Sequence, residues 1–481
     1  MTTVPKDGIP EGTEGPGFQK TIRPAQFAIF GFGGVVGTSW VVLLGGFLMH
    51  AGPAGTMLGI ALGGAAIAMV AAMYAELASR FPQTGGEVTY VTAVFGRHAG
   101  FVVGWLLTIV YLSNLIFEGV ALSWLVEILW PTLIGPTLYM AFGEPIRAGG
   151  LFLALTCCLV IAVLNYRGAH SFVRFQNVMT MMFLAIVFVT VGLEFSYGSV
   201  QNMQPFWQAG DGGSWLVGVA WVFGSAPMIL AGFQSVLHTI EERSPSTSKE
   251  TVVRLCVAAV VCAVLFYLIV ILAAIQAAPW RELAASGLPP VEALSGLPWS
   301  GAVKTIFLLA LIISLIKTWN SVFMTAVRLL FAQSREGMIP AVFAHVNAKT
   351  GAPGKGVIAV AIFNFIGVFL GKGLIEPLVN VMSVCIALTF VLICAATLVM
   401  RRRDPGHSGF KAYGGYPAGI LAIVAASGMV FFALVQPAPT NAAAAFKWGL
   451  LVAWALIGTA LYIVRNRRIV PVERMVGSEV I

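Results

Sequence analysis

Apolar runs close to the ~20 residues needed to cross a bilayer recur along the chain, separated by short polar stretches. They predict twelve helical spans at roughly 27–50, 56–79, 99–130, 149–166, 174–195, 214–238, 251–277, 301–332, 356–372, 375–400, 417–436 and 445–464. Two of these runs contain residues unsuited to a continuous helix. The first holds Gly31-Phe32-Gly33-Gly34-Val35-Val36-Gly37-Thr38-Ser39, and the second holds Gly224, Ser225, Pro227 and Gly232 between Phe223 and Phe233. Backbone groups freed in hydrocarbon must find partners, so such interruptions are tolerated where they line a cavity or hold a ligand. The pattern predicts an all-α polytopic membrane protein, discontinuous in helices 1 and 6, with a substrate site between the two breaks.

Spans 1 to 5 and 6 to 10 form two units of five, and an odd number makes the second unit enter the membrane in the opposite sense. The expected organisation is a tail over 1–22, a first inverted repeat over 23–198, a second over 199–400, two added helices over 401–464 and a second tail over 465–481. No residue-level repeat is visible, so this pairing rests on topology and on the matched breaks. Composition agrees with a membrane protein: 58% hydrophobic and 10% charged residues, with a mean hydropathy of +0.89. The six cysteines all fall in apolar runs, where they read as small hydrophobes. The first residues carry no apolar core of the kind a cleaved signal needs.

Placing both termini in the cytoplasm puts 22 of the 28 basic residues on the inner side, as the positive-inside rule requires. The net charge of +8 then reflects rims facing anionic lipid, with no nucleic-acid partner implied. The expected location is the plasma (inner) membrane. No span gathers histidines and carboxylates at ligand spacing or positions a nucleophile, so no metal, cofactor or catalytic centre is expected. A channel would need a selecting ring or filter, whereas paired interrupted helices suit alternating access.

The chemistry of the breaks is complementary. Gly33, Gly34 and Gly37 permit backbone conformations closed to larger residues, and a half-helix N-terminus presents amides to an anion such as a carboxylate. The other reading of these glycines is close helix packing, which accounts less well for the hydroxyls of Thr38 and Ser39 that follow. Pro227 supplies no N–H and frees a carbonyl one turn earlier, suited to an ammonium, although a proline by itself is equally a simple kink.

Four stretches together resemble the amino acid-polyamine-organocation transporter superfamily across nearly the whole chain: GFGGVVGTSW; Glu76-Leu77-Ala78-Ser79-Arg80-Phe81-Pro82 with Gly85-Gly86-Glu87 and Tyr90, then Gly104-Trp105; Ala231-Gly232-Phe233 with Glu241-Glu242 and Pro245; and Arg328-Leu329-Leu330-Phe331 with Ser334-Arg335-Glu336-Gly337-Met338-Ile339-Pro340. The resemblance implies a leucine-transporter-like fold and an amino acid permease. It implies that amides from about Gly33 to Ser39, including Val36, hold a substrate carboxylate, and that carbonyls between Met228 and Ala231, including Ile229, face the amine. Phe233 is expected to close over the site from the outer side, and Tyr111 and Asn114, with Trp105, to form a pocket wall on span 3.

Lys317 is the sharpest single residue, because an intramembrane lysine is costly and by default functional. The resemblance sets it near the sodium position of related sodium-coupled transporters, while the family's span-5 lysine position holds Phe183. This argues against sodium coupling and makes Lys317 a candidate for proton-linked gating; the alternative is a fixed cation bonded to carbonyls of span 1. Glu76, Glu241 and Glu242 are candidate gate residues through ion pairs with residues such as Arg80 or Arg335. Glu118 reads as a vestibule acid or a rim charge, and His238 as a proton relay or an ordinary bundle hydrogen bond. With no acid clearly placed to hold a cationic side chain, the expectation is a proton-coupled or exchanging permease for neutral amino acids. The alternative is an amine or polyamine permease, for which an acid such as Glu118 would be needed.

Overall fold

The computed structural model describes residues 18, 20–208, 214–347, 349–371, 373, 375–435 and 441–468; most of both predicted tails lies outside them. Ten helices among the described residues are long and apolar enough to cross a membrane, and two shorter apolar helices accompany them. In chain order the helices are α1 (Pro24–Val35), α2 (Ser39–Arg80), α3 (Glu87–Phe95), α4 (Arg97–Leu129), α5 (Ala148–Tyr166), α6 (Ala169–Tyr197), α7 (Trp215–Leu230), α8 (Gln234–His238), α9 (Lys249–Ala277), α10 (Trp280–Ala285), α11 (Pro289–Glu292), α12 (Ser300–Arg335), α13 (Gly354–Val368), α14 (Ile375–Arg403), α15 (Gly415–Val435) and α16 (Asn441–Arg468). This is a multi-pass, all-α membrane architecture, with one exception that the apolar pattern does not foretell. Between α4 and α5 a small antiparallel hairpin pairs β1 (Thr137–Ala141) with β2 (Glu144–Arg147), a unit too short to leave a periodic signal.

The 42 residues of α2 are not one straight helix. Gly52 takes φ 67° and ψ −179° and Pro53 follows, so the chain turns a corner there. The loop before α7 holds that corner: Ala54 N–H donates to the Phe206 carbonyl at 2.8 Å, and Gln208 N–H donates to the Ala51 carbonyl at 3.4 Å. Beyond the corner, small residues let α2 and α7 approach closely. A Cβ added at Gly59 would lie 2.6 Å from Val222, and one at Gly63 would lie 2.5 Å from Ala226.

Burial falls from the centre outward. In the spanning windows of α12 and α14, 72% is buried, against 11% for α16. Phe152, Phe188, Ile366, Val424 and Leu456 show apolar faces outward, as lipid-facing residues do. The peripheral α16 is nevertheless clasped to α4, because Trp105 and Trp454 stack at 4.2 Å and each indole N–H donates to the other's backbone carbonyl, at 2.8 and 2.9 Å. Trp105 thus faces α16 and not the pocket assigned to it from sequence.

Gly63→Leu should overpack the α2–α7 contact and cost about 1–3 kcal/mol, read as a lower melting temperature of the detergent-solubilised protein. Gly192→Leu on α6, where an added Cβ meets open space, is the control and should leave the melting curve in place.

Candidate functional site

Both expected interruptions are present, and both are shorter than the sequence indicates. α1 stays helical through Gly33 and Gly34 to Val35, and only Val36, Gly37 and Thr38 leave the helix before α2 begins at Ser39. α7 likewise runs past Pro227 to Leu230, and the second break is confined to Ala231, Gly232 and Phe233, with Gly232 at φ 110°. Gly33 lies close against Thr180 of α6, where a larger side chain would not fit. Pro227 is tolerated inside a helix, as prolines in membrane spans are.

The two breaks touch. A Cβ on Gly232 would sit 2.1 Å from the Gly34 carbonyl oxygen, so only glycine allows this approach. Two side chains satisfy much of the exposed backbone. The Tyr267 hydroxyl on α9 accepts the Gly37 N–H at 3.1 Å and lies within donating reach of the Val35 and Ile229 carbonyls, at 3.1 and 3.3 Å. Lys317 on α12 donates to the Gly33 carbonyl at 2.9 Å and also to the Val36 carbonyl. Its ammonium stands 5.2 Å above the Phe183 ring. The lysine therefore caps the negative end of α1 from behind the break.

Between the breaks lies a small cavity of about 50 Å³. Eight of the site residues expected from sequence line it: Gly34, Gly37, Ser39, Met228, Ile229, Ala231, Tyr111 and Asn114. Gly33, Val36, Thr38 and Lys317 stand behind this wall as its backbone support. Phe233 is fully buried and packs edge-on against Tyr74 at 5.2 Å and near Phe390 at 6.0 Å. It is not the outer cover expected; the positive φ of Gly232 turns the chain so that Phe233 enters the core between α2 and α14. Glu118 is neither vestibule nor rim: it lines the cavity together with Thr318, is 5% exposed, and lies within electrostatic reach of Lys317. The expectation that no acid faces the pocket is corrected accordingly.

The cavity has opposite polarity at its two ends. Ser39 and Trp40 start α2 ahead of its first bond, Val41 N–H to the Thr38 carbonyl at 3.0 Å, so this wall presents amides. At the other wall α7 ends, and its last turn presents carbonyls. Ser39 and Met228 are shared with a wider cavity of about 310 Å³, lined also by Leu43, His50, Trp221, Asn380 and Ser383, in which Trp221 stacks on His50 at 4.5 Å.

The opposite end of the molecule is closed by ion pairs. Glu76 accepts from Arg401 at 2.7 Å and Arg80 at 3.4 Å, Glu241 pairs with Arg335 at 3.2 Å, and Glu242 pairs with Arg328 at 2.6 Å with both side chains fully buried. All three expected gate acids are thus paired. Thr21 and Ile22 N–H groups both donate to the Glu242 carbonyl at 3.0 Å, tying the segment before α1 to the same lock. Sequence reasoning missed Tyr267, Thr318, Ser321 and Ser235. A hydroxyl inside an apolar run was the only available signal, and it becomes specific only once helix orientation is known.

A family model described as "Amino acid permease" matches residues 25–461. The chain is 28% identical over 463 residues to a methylthioribose transporter of Bacillus subtilis, covering 93% of this chain and 94% of that protein. It is 25% identical over 396 residues to a branched-chain amino acid permease of the same organism, covering 79% and 80%, and 26% identical over 407 residues to its aspartate-proton symporter, covering 80% and 74%.

Tyr267→Phe keeps the ring and removes the hydroxyl shared by the two breaks. Leaving buried backbone groups unpaired should cost about 1–3 kcal/mol, and a melting temperature equal to the wild type would show that this hydroxyl is not what holds the breaks together.

Proposed function

Because the chain belongs to the amino acid permease family, we propose that it is a secondary active transporter moving amino acids across the plasma (inner) membrane by alternating access. The observation that carries this reading is the pair of interrupted helices around one cavity, amides on one wall and carbonyls on the other. A zwitterion matches that polarity at both of its ends. Counting α1 with the first part of α2, and α7 with α8, as single interrupted spans, and dividing α2 at Gly52, yields twelve spans. This fits a five-plus-five inverted repeat with breaks in the first and sixth. The ion-paired end carries Arg80, Arg328, Arg335 and Arg401, which favours a cytoplasmic position for it and for both termini. The conformation then faces outward, with the 310 Å³ cavity as its vestibule and Glu76, Glu241 and Glu242 as inner gate residues.

Neutral amino acids are the favoured class. Glu118 is the one ionisable carboxyl among the side chains lining the cavity and the rest of that lining is uncharged, which suits a ligand without an ionic side chain. The branched-chain permease among the relatives agrees with this. Lys317 acts as the coupling residue: its ammonium fills the place of a metal ion on the Gly33 and Val36 carbonyls, which supports proton coupling or exchange without sodium. An aspartate-proton symporter among the relatives is consistent with the proton.

Purified protein should be stabilised against heat by one or more neutral L-amino acids in a panel of the twenty, with methylthioribose and decarboxylated amines included. A ligand at a hundred times its Kd adds about 2.7 kcal/mol. Stabilisation by the amines at the same strength would shift the assignment to an amine permease, and stabilisation by none of the amino acids would overturn it. In proteoliposomes, uptake of the best stabiliser should be the same in sodium and in choline buffer. Lys317→Ala should flatten its pH dependence, and a pH profile identical to the wild type would remove Lys317 from coupling.

A further inference from the structure

Directly beneath the candidate cavity lies an acid–base pair that the site does not use. His238, the last residue of α8, sits one turn from the cavity-lining Gln234, and its Nε2 is 2.8 Å from Oε2 of Glu87, the first residue of α3. Both side chains are fully buried. The Gly85-Gly86 turn makes this meeting possible: the two glycines have φ 127° and 48°, and a Cβ on Gly86 would be only 3.0 Å from His238 Nε2. Tyr74 of α2, Tyr90 of α3 itself, Tyr111 of α4 and Cys256 of α9 lie near the pair, and the nearest charged side chains, Glu241 and Arg335, are bonded to Thr84 at the start of the same turn. The charged groups of the closed end are committed elsewhere, in the Glu241–Arg335 and Glu242–Arg328 pairs. His238 Nδ1 is buried without a hydrogen-bond partner.

We propose that Glu87 and His238 together form the exit-side binding site for the transported proton. This rests on the alternating-access reading above and adds a second site to the coupling assigned to Lys317. In dry surroundings the pair is least costly with no net charge, as imidazolium with carboxylate or as imidazole with carboxylic acid, and both forms contain the same number of protons. Once water enters, each group is solvated on its own and the pair no longer has to share a proton to remain without net charge. Closing this end therefore captures one proton, and opening it releases that proton to water. The proton enters and leaves as hydronium, and the pair itself returns to its starting state in each cycle. Tyr111, which lines the cavity, lies edge-on to His238 with centroids 6.3 Å apart, so one side chain separates the pair from the substrate side. α8 follows the second break, so a movement of α8 relative to α3 would part the two residues and admit water between them.

The test uses the full chain in proteoliposomes with a pH-sensitive dye trapped inside, and the amino acid that best stabilises the wild type. In the wild type, an inward gradient of one pH unit should drive about tenfold accumulation for one coupled proton. Glu87→Gln and His238→Gln should each reduce accumulation to about onefold and abolish the dye response, while equilibrium counterflow and substrate-dependent thermal stabilisation persist. Wild-type accumulation in either variant would overturn the proposal. Loss of counterflow together with accumulation in both would also overturn it, because the pair would then be only a structural latch. If no amino acid stabilises or is carried by the wild type, the transport reading itself fails, an outcome separate from either of these.

Discussion

The ammonium of Lys317 resting on the last carbonyls of α1 is the interaction on which this molecule depends. An interrupted helix within hydrocarbon leaves backbone groups whose exposure costs several kcal/mol each. Lys317 takes the carbonyls of Gly33 and Val36, and the Tyr267 hydroxyl accepts the Gly37 N–H with its one proton in reach of the Val35 and Ile229 carbonyls. The first break is thus stabilised before any ligand arrives, and the amides at the start of α2 remain for the cavity. A buried cation is expensive in its turn. Carbonyl dipoles and the Phe183 ring offset that cost, so lysine, helix end and ring form one packed unit.

The same economy of charge governs the closed end. Glu242 and Arg328 are fully buried, and two hydrogen bonds at 2.6 and 2.9 Å join them. Removing one partner would strand the other, which is why such pairs are sensitive to single substitutions even where their net contribution to stability is small. Glu76 joins α2 to α14, and Glu241 joins the segment after α8 to α12. Each pair bridges elements distant in sequence, so the lock is a property of the tertiary arrangement. Parting these pairs would require several helices to move together.

Much of this was legible in the sequence. A set of long apolar helices follows from run length, and the breaks were expected within Gly31 to Ser39 and around Gly224, Ser225, Pro227 and Gly232. Lys317 stood out because charge is rare in lipid, and its alternative reading as a cation on span 1 carbonyls describes the observed contacts. The extent of each break was not legible, because Gly33, Gly34 and Pro227 are compatible with a helix once neighbouring side chains support it. Orientation was the other gap. Phe233, Trp105 and Glu118 were each assigned a direction from position alone, and the structure turns the first into the core, the second onto α16 and the third into the cavity. Periodicity in a helix that is apolar all round carries little information about which face looks inward.

The clasp between Trp105 and Trp454 has a spectroscopic consequence. Two indoles stacked 4.2 Å apart with planes 13° from parallel share their excited states. Near-ultraviolet circular dichroism from this couple therefore reports, without any attached label, whether the last helix remains seated against its neighbour as the bundle works.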